Sequence, residues 1–261
     1  MCIIYFINKN GEIILGKTRD NKHHPIISLH HEIINGIEIF YLKDHVTNWI
    51  EGINEYGLTL VNASVAYLDE VNIEYEKSSG YIIYYALMQT TLKDMLRSIL
   101  SFKNNNGQLL EGHTFLSDGE KCFFVEKTEN DVPHCDEIKD ELMVRTNHYV
   151  INSSSNELID GDQIKCSLIR KKIAELQLEK PCDSILESLN TTTKLYCDIY
   201  REKIDNKPKT TSQYMMNLKK KEFTIYVDRN NCDFDGYHMN LPDGYVPKIN
   251  IVMKYVVRNN L

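Results

Sequence analysis

The sequence contains no apolar run of the roughly 18 residues that a membrane-spanning helix needs, so no bilayer segment is expected. Nor does it carry surplus positive charge. The 30 Lys and Arg stand against 37 Asp and Glu, a net charge of −7. With a pI near 5.7 the chain has no general attraction to phosphate, which argues against nucleic acid as a partner. A glycine-rich phosphate loop and a Gly-x-Ser-x-Gly nucleophile elbow are both missing. The seven cysteines are odd in number and widely spaced, which fits reduced thiols in a cytoplasm and not a disulfide framework. The opening run 1–7 has no basic leader and stops at Asn8-Lys9-Asn10, too short for a secretory signal. What remains is 42% hydrophobic and 26% charged residues over 261 positions, the mix of a soluble globular protein with a sizeable core. There is no internal repeat, and 129–139 and 202–210 read as surface loops. A single domain, 1–261, is expected.

Strand-like runs dominate both ends of the chain. Residues 1–7 and 12–18 flank Asn8-Lys9-Asn10-Gly11, and 26–34 and 37–42 flank Asn35-Gly36, two hairpin signals. Another apolar run, 57–67, follows Asn54-Glu55-Tyr56-Gly57. The period then changes: 78–88 and 91–102 read as helices, the second with Thr91 as N-cap. Residues 113–117 and 121–127 flank Asp118-Gly119-Glu120, and 141–151 reads as a strand. A helix is expected over 162–176 with Ile164, Leu168, Ile169, Ile173 and Leu176 on one face, and a short one over 184–189. A last hairpin joins 213–218 to 222–227 through Lys219-Lys220-Lys221. Many hairpins with helices between them define an α+β class in which helices cover sheets.

The chemistry starts at Cys2. Removal of Met1 from so small a neighbour is expected, and it leaves a thiol and a free α-amine on one residue. An α-amino group has a pKa of about 7.7–8.0, so near neutrality it serves as a base for the adjacent thiol. As a plain side chain the same cysteine would pack as a small hydrophobe. In Gly16-Lys17-Thr18-Arg19-Asp20-Asn21, Asp20 is a suitable acceptor for the amine, while Lys17 or Arg19 would favour a thiolate. Strand alternation puts Lys17 and Arg19 on one face and Asp20 on the other unless the strand ends or bulges there. Acyl transfer also needs donors for an oxyanion. Asn147, in Val144-Arg145-Thr146-Asn147-His148, is the natural candidate, with donors near Asn62–Ser64 as the second.

In this order, Met-Cys, Gly-Lys-Thr-Arg-Asp-Asn, Glu-Gly-Ile-Asn-Glu-Tyr-Gly-Leu (51–58), Arg-Thr-Asn-His (145–148) and Ser-x-x-Arg (167–170) resemble the N-terminal-nucleophile hydrolases. More narrowly, they resemble the choloylglycine hydrolase and acyl-CoA:6-aminopenicillanate acyltransferase group, over most of residues 1–230. The resemblance implies a four-layer αββα sandwich of two mainly antiparallel sheets. It implies Cys2 as nucleophile with its own amine as base, Asp20 positioning that amine, Asn147 in the oxyanion hole, and supporting places for Asn62, Ser64 and Arg170. The bile-salt hydrolases of this group carry Arg where Lys17 stands, and Lys lacks the bidentate fork. The implied activity is hydrolysis or acyl transfer at a linear amide of a small molecule, through a thioacyl-enzyme, with no cofactor.

Other readings stay open. A non-catalytic binding protein retaining the fold fits a chain whose Met1 stays on, and a thiol enzyme with His148 as base would tolerate that Met1. His23, His24, His30 and His31 lack the spacing of a zinc helix, and the calcium-loop mimic at Asn231–Gly236 has Pro242 in its twelfth position, so no metal is expected. Substrate identity, and whether the chain forms a homo-oligomer, are not written in the sequence.

Overall fold

Two Asn-Gly turns set the first hairpins. Asn10 and Gly11 have φ of 55° and 70°, and Asn35 and Gly36 have φ of 52° and 80°, the positive pair that a two-residue hairpin turn requires. The computed structural model describes residues 2–65, 73–103, 107, 109–128, 132–159, 161–179, 185, 189, 208–249 and 252–258, with backbone alone at 73–78, 158 and 253–258. The first of these turns joins β1 (Ile3–Lys9) to β2 (Glu12–Asn21), and the second joins β3 (Ile26–Ile34) to β4 (Ile37–Asp44). Then come β5 (Ile50–Asn54), β6 (Thr59–Ala63), α1 (Ile73–Leu87), α2 (Leu92–Ser101), β7 (Gly112–Ser117), β8 (Cys122–Lys127), β9 (His134–Glu137) and β10 (Leu142–Arg145). After them lie α3 (Gly161–Glu179), β11 (Lys209–Asn217), β12 (Glu222–Asp228), β13 (Asp233–Asn240) and β14 (Val252–Arg258).

The strands form a six-stranded sheet, β10-β1-β2-β11-β12-β14, and an eight-stranded sheet, β13-β3-β4-β5-β6-β7-β8-β9. Pairing is antiparallel except between β12 and β14 and between β13 and β3. Side-chain alternation sorts the layers. Cys2, Ile4 and Phe6 point between the sheets, where they pack with Val61, Phe115, Tyr214 and Phe223. Ile3, Tyr5 and Ile7 point the other way, onto Ala174 and Leu178 of α3. Ile39, Leu60 and Leu116 of the larger sheet meet Ile82, Ile83, Met95 and Ile99 of α1 and α2. The result is the αββα sandwich, an α+β fold. No helix among the described residues is long and apolar enough to cross a membrane.

Thr91 caps α2 as expected, accepting from the Asp94 N–H. Other elements differ from the sequence reading. The strand expected over 141–151 ends at Arg145, because the amides beyond it bond to side chains and not to a ladder. In α3 the buried residues are Cys166, Ser167, Arg170, Ala174 and Leu178, while Leu168, Ile169 and Leu176 are exposed. Polar contacts of Ser167 and Arg170 with the sheet set the rotation of this helix, overriding the apolar periodicity. The strand β9 lies inside the expected surface loop 129–139, and β13 occupies the polar turn that mimicked a calcium loop. Residues 66–67 of the expected strand and most of the expected helix 184–189 lie outside the described residues.

On β5, a methyl group added at Gly52 would lie 2.1 Å from the Phe40 carbonyl oxygen, whereas at Gly161, opening α3, it would meet nothing within 4 Å. Gly52→Ala should therefore cost about 3 kcal/mol in urea denaturation, and Gly161→Ala should be neutral or gain a few tenths of a kcal/mol. Equal effects would contradict this packing.

Candidate active site

Cys2 lies just ahead of β1, 9% exposed, on the face between the sheets. Its backbone nitrogen donates to Asn147 Oδ1 at 2.8 Å. Asn147 Nδ2 in turn donates to the Ser64 carbonyl at 2.6 Å, and the Asn147 N–H donates to Ser167 Oγ at 2.9 Å. One amide side chain thus joins the backbone of Cys2 to the residue that follows β6, and α3 holds the backbone of the same asparagine through Ser167.

Lys17 and Arg19 enter the same inter-sheet space from β2, and each meets a carboxylate of the other sheet. Lys17 Nζ bonds to Glu51 Oε1, which also accepts from Trp49 Nε1 at 3.3 Å. Arg19 lies 3.0 Å from Asp44 and 3.8 Å from Glu51. The Trp49 ring sits 5.3 Å from Lys17 Nζ and 5.9 Å from the Arg19 guanidinium carbon. Burial alone would raise the Asp44 carboxyl, but the hydrogen bond from His23 and the Arg19 charge hold it well below the usual carboxylate range. Tyr214, fully buried beside this array, has its phenol pushed far above its ordinary value by burial and by Glu51.

Asp20 takes the opposite face of β2, as alternation required. Its carboxylate accepts from Arg170 Nη2 at 2.5 Å and from Thr210 Oγ1 at 2.8 Å. A bulge between Thr210 and Ser212 of β11 lies opposite Asp20 and Arg19, yet the cations and the carboxylate stay on separate faces. Asn62 also turns away. It faces the helix side of β6, donating to Thr114 Oγ1 at 2.9 Å and to the Glu111 carbonyl at 3.3 Å, whereas Val61 and Ala63 share the inter-sheet core with Cys2.

The expected residues therefore fall into three groups. Cys2, Asn147 and Ser64 come together; Lys17 and Arg19 pair across the sheets; Asp20 and Arg170 pair beneath β2, and Asn62 stands apart from all of them. His148 Nδ1 lies 2.8 Å from Ser167 Oγ and 3.1 Å from Thr146 Oγ1. Burial, with the Lys171 and Arg145 charges, lowers its pKa to about 4, so near pH 7 it is a neutral partner of Ser167. Glu51, Asp44, Trp49, Thr210 and Ser167 went unassigned in the sequence. Glu51 and Ser167 stood inside quoted motifs, and the i, i+3 spacing of Ser167 and Arg170 was the available sign of a shared helix face. Among the described residues no cluster of His, Cys, Asp and Glu is arranged to hold a metal ion.

This layered arrangement is the fold of the N-terminal-nucleophile hydrolases. Among solved structures it is similar to penicillin V acylase from Agrobacterium tumefaciens, with a TM-score of 0.50 and 14% identity over 87% of this chain and 86% of that one. A mutant conjugated bile acid hydrolase from Clostridium perfringens gives a TM-score of 0.49 and 13% identity over 87% of this chain and 89% of that one. No protein-family model and no curated sequence matches the chain.

Two outcomes follow from the buried charges. Lys17→Met leaves the Glu51 carboxylate to Trp49 Nε1 and the more distant Arg19 and should cost about 3 kcal/mol in urea denaturation, most of it recovered by adding Glu51→Gln; an unchanged midpoint for the single variant would refute the pairing. Burial also lowers the His113 pKa to about 3, against an ordinary imidazole value of 6.5. With His148 at about 4, the unfolded chain binds more protons than the folded one below that ordinary value. Stability should be full above about pH 6.5 and should fall as the pH drops toward 4. A denaturation midpoint independent of pH over this window would contradict the two neutral imidazoles.

Proposed function

We propose that this chain is an amidohydrolase in which Cys2 is the nucleophile and its own nitrogen the base. The observation that carries this reading is the 2.8 Å bond fixing the Cys2 nitrogen on Asn147 beside the thiol. Once the residues ahead of Cys2 have been removed, that nitrogen becomes an α-amine able to take the thiol proton. Continuing the β1–β2 register one pair past Ile3 and Thr18 sets Cys2 against Arg19, one residue from Asp20. Asp20, held by Arg170 and Thr210 on the α3 side of β2, is in this reading the second group orienting the freed amine.

In this mechanism the thiolate attacks the carbonyl carbon of a linear amide, forming a tetrahedral oxyanion. Asn147 accepts from the amine through Oδ1. Its Nδ2 carries two N–H donors, one spent on the Ser64 carbonyl and the other available to the oxyanion. The protonated Cys2 amine gives its proton to the departing amine and a thioester remains. Water then hydrolyses it, or a second amine takes the acyl group; exclusion of water decides between hydrolase and acyltransferase. Paired with Glu51, Lys17 acts in this reading through the charge balance of the site and not as a free cation. The layered fold shared with penicillin V acylase supports amide cleavage as the reaction class.

Intact mass would first establish whether the purified chain begins at Cys2. A panel of penicillin V, N-acyl amino acids, conjugated bile acids and acyl-CoA donors should then yield an acyl adduct on Cys2 and a released amine. Cys2→Ala should abolish both, a fall of roughly 10⁶-fold on the scale of a hydrolase losing its nucleophile, while Cys2→Ser keeps weak activity. Turnover surviving Cys2→Ala discards the mechanism. A blocked Cys2 nitrogen with no turnover favours a non-catalytic protein with this fold.

A further inference from the structure

The loop that carries Asn147 is held by a carboxylate from the opposite sheet. Glu126 of β8 is fully buried on the inter-sheet face, level with His113 of β7, its partner in the ladder. Its two oxygens accept three consecutive backbone N–H groups, from Val150 at 2.8 Å, Ile151 at 2.9 Å and Asn152 at 2.7 Å. The side chains of Val150 and Ile151 are exposed, at 38% and 48%. A surface segment thus turns its amides inward onto one buried charge. Beside it, His113 Nε2 lies 2.8 Å from the His148 carbonyl. A carbonyl oxygen can only accept, so Nε2 carries a proton and donates it, while Nδ1 of the same ring lies 3.4 Å from Glu126 Oε2. The segment 148–152 is therefore pinned at both ends from β7 and β8, while Ser167 of α3 fixes Asn147 from the other side.

A buried carboxylate is costly unless hydrogen-bonded. Three amide donors satisfy Glu126, and the Arg145 guanidinium, stacked 4.6 Å from the Phe124 ring, adds favourable charge. The amides in turn have no ladder to join, since β10 stops at Arg145. Each side of the contact supplies what the other lacks.

We infer that Glu126 is a positioning residue for the Cys2 reaction: a cross-sheet tether that fixes the Asn147 loop, and through Asn147 the nitrogen of Cys2. This rests on the reading of Cys2 as nucleophile. A loop displaced by about 1 Å would misplace the amine from the thiol, an error that costs on the order of 10²-fold in rate. Glu126→Gln preserves shape but turns an NH₂ group toward an N–H, so the loop must shift.

The test has two readouts. Amide hydrogen exchange on the full-length wild-type protein should find Val150, Ile151 and Asn152 protected despite their surface position, and Glu126→Gln should remove that protection while β7 and β8 keep theirs. Rapid exchange at these amides in the wild type, which needs no variant to fold, overturns the tether, as does unchanged protection in Glu126→Gln. The second readout is the rate of Cys2 acylation by p-nitrophenyl acetate, followed by mass spectrometry in a double-mutant cycle. Glu126→Gln and Asn147→Ala should each slow it about 10²-fold, and the double variant should be slower by no more than about threefold further, because both act through one contact. Multiplying penalties, or no penalty for Glu126→Gln, overturn the positioning role. Failure of the nucleophile reading shows itself separately, as panel turnover that survives Cys2→Ala.

Discussion

The arrangement depends on a single hydrogen bond, from the backbone nitrogen of Cys2 to Asn147, between residues 145 positions apart. It exists because β10 pairs with β1 and stops at Arg145, delivering Thr146 and Asn147 beside the start of the first strand. The nitrogen would otherwise be a donor in a largely apolar interior. An amide side chain suits the place because it accepts from one backbone and donates to another, bridging Cys2 and Ser64. The rotation of α3, which buries Ser167 and Arg170 at the expense of better apolar residues, follows from the same requirement.

Charge is the second organising feature. The two cations of β2 and the carboxylates Asp44 and Glu51 of the larger sheet are all buried and balance to zero. Buried pairs of this kind contribute little net stability compared with a hydrocarbon core, but losing one member is severe. Because each pair spans the two sheets, a slide of one sheet over the other would leave ions unpaired in hydrocarbon. Asp20 and Arg170 do the same between β2 and α3. The second strand is thus tied on both faces, and Cys2, its neighbour, inherits that rigidity.

Much of the architecture was legible in the sequence. Asn10-Gly11, Asn35-Gly36 and Asp118-Gly119 marked hairpins because so few residues accept positive φ, and the period of Leu92, Met95 and Ile99 marked α2. The edge strands β9 and β13 were not legible: their residues are polar and half-exposed, and only pairing to a distant partner makes them strands. Cys2 and Asn147 could be picked out by chemistry, and alternation placed Lys17 and Asp20 on opposite faces. The partners of Lys17 and Arg19 could not be found, since nothing in Glu51 or Asp44 announces that each faces β2 across the sheets. Asn62 misled because its neighbours Val61 and Ala63 do face Cys2, and in a strand one position decides the face.

The six-stranded sheet places β2 between a hairpin neighbour and β11, with Asn21 paired to Lys209. Long-range pairing of this kind is slow to form and waits on the intervening chain. On a ribosome, the first two strands emerge early and must stand by while β10 and β11 are made. Throughout that interval the nitrogen of Cys2 lacks the Asn147 side chain that fixes it in the finished fold. The reactivity proposed for Cys2 would therefore wait on a nearly finished polypeptide.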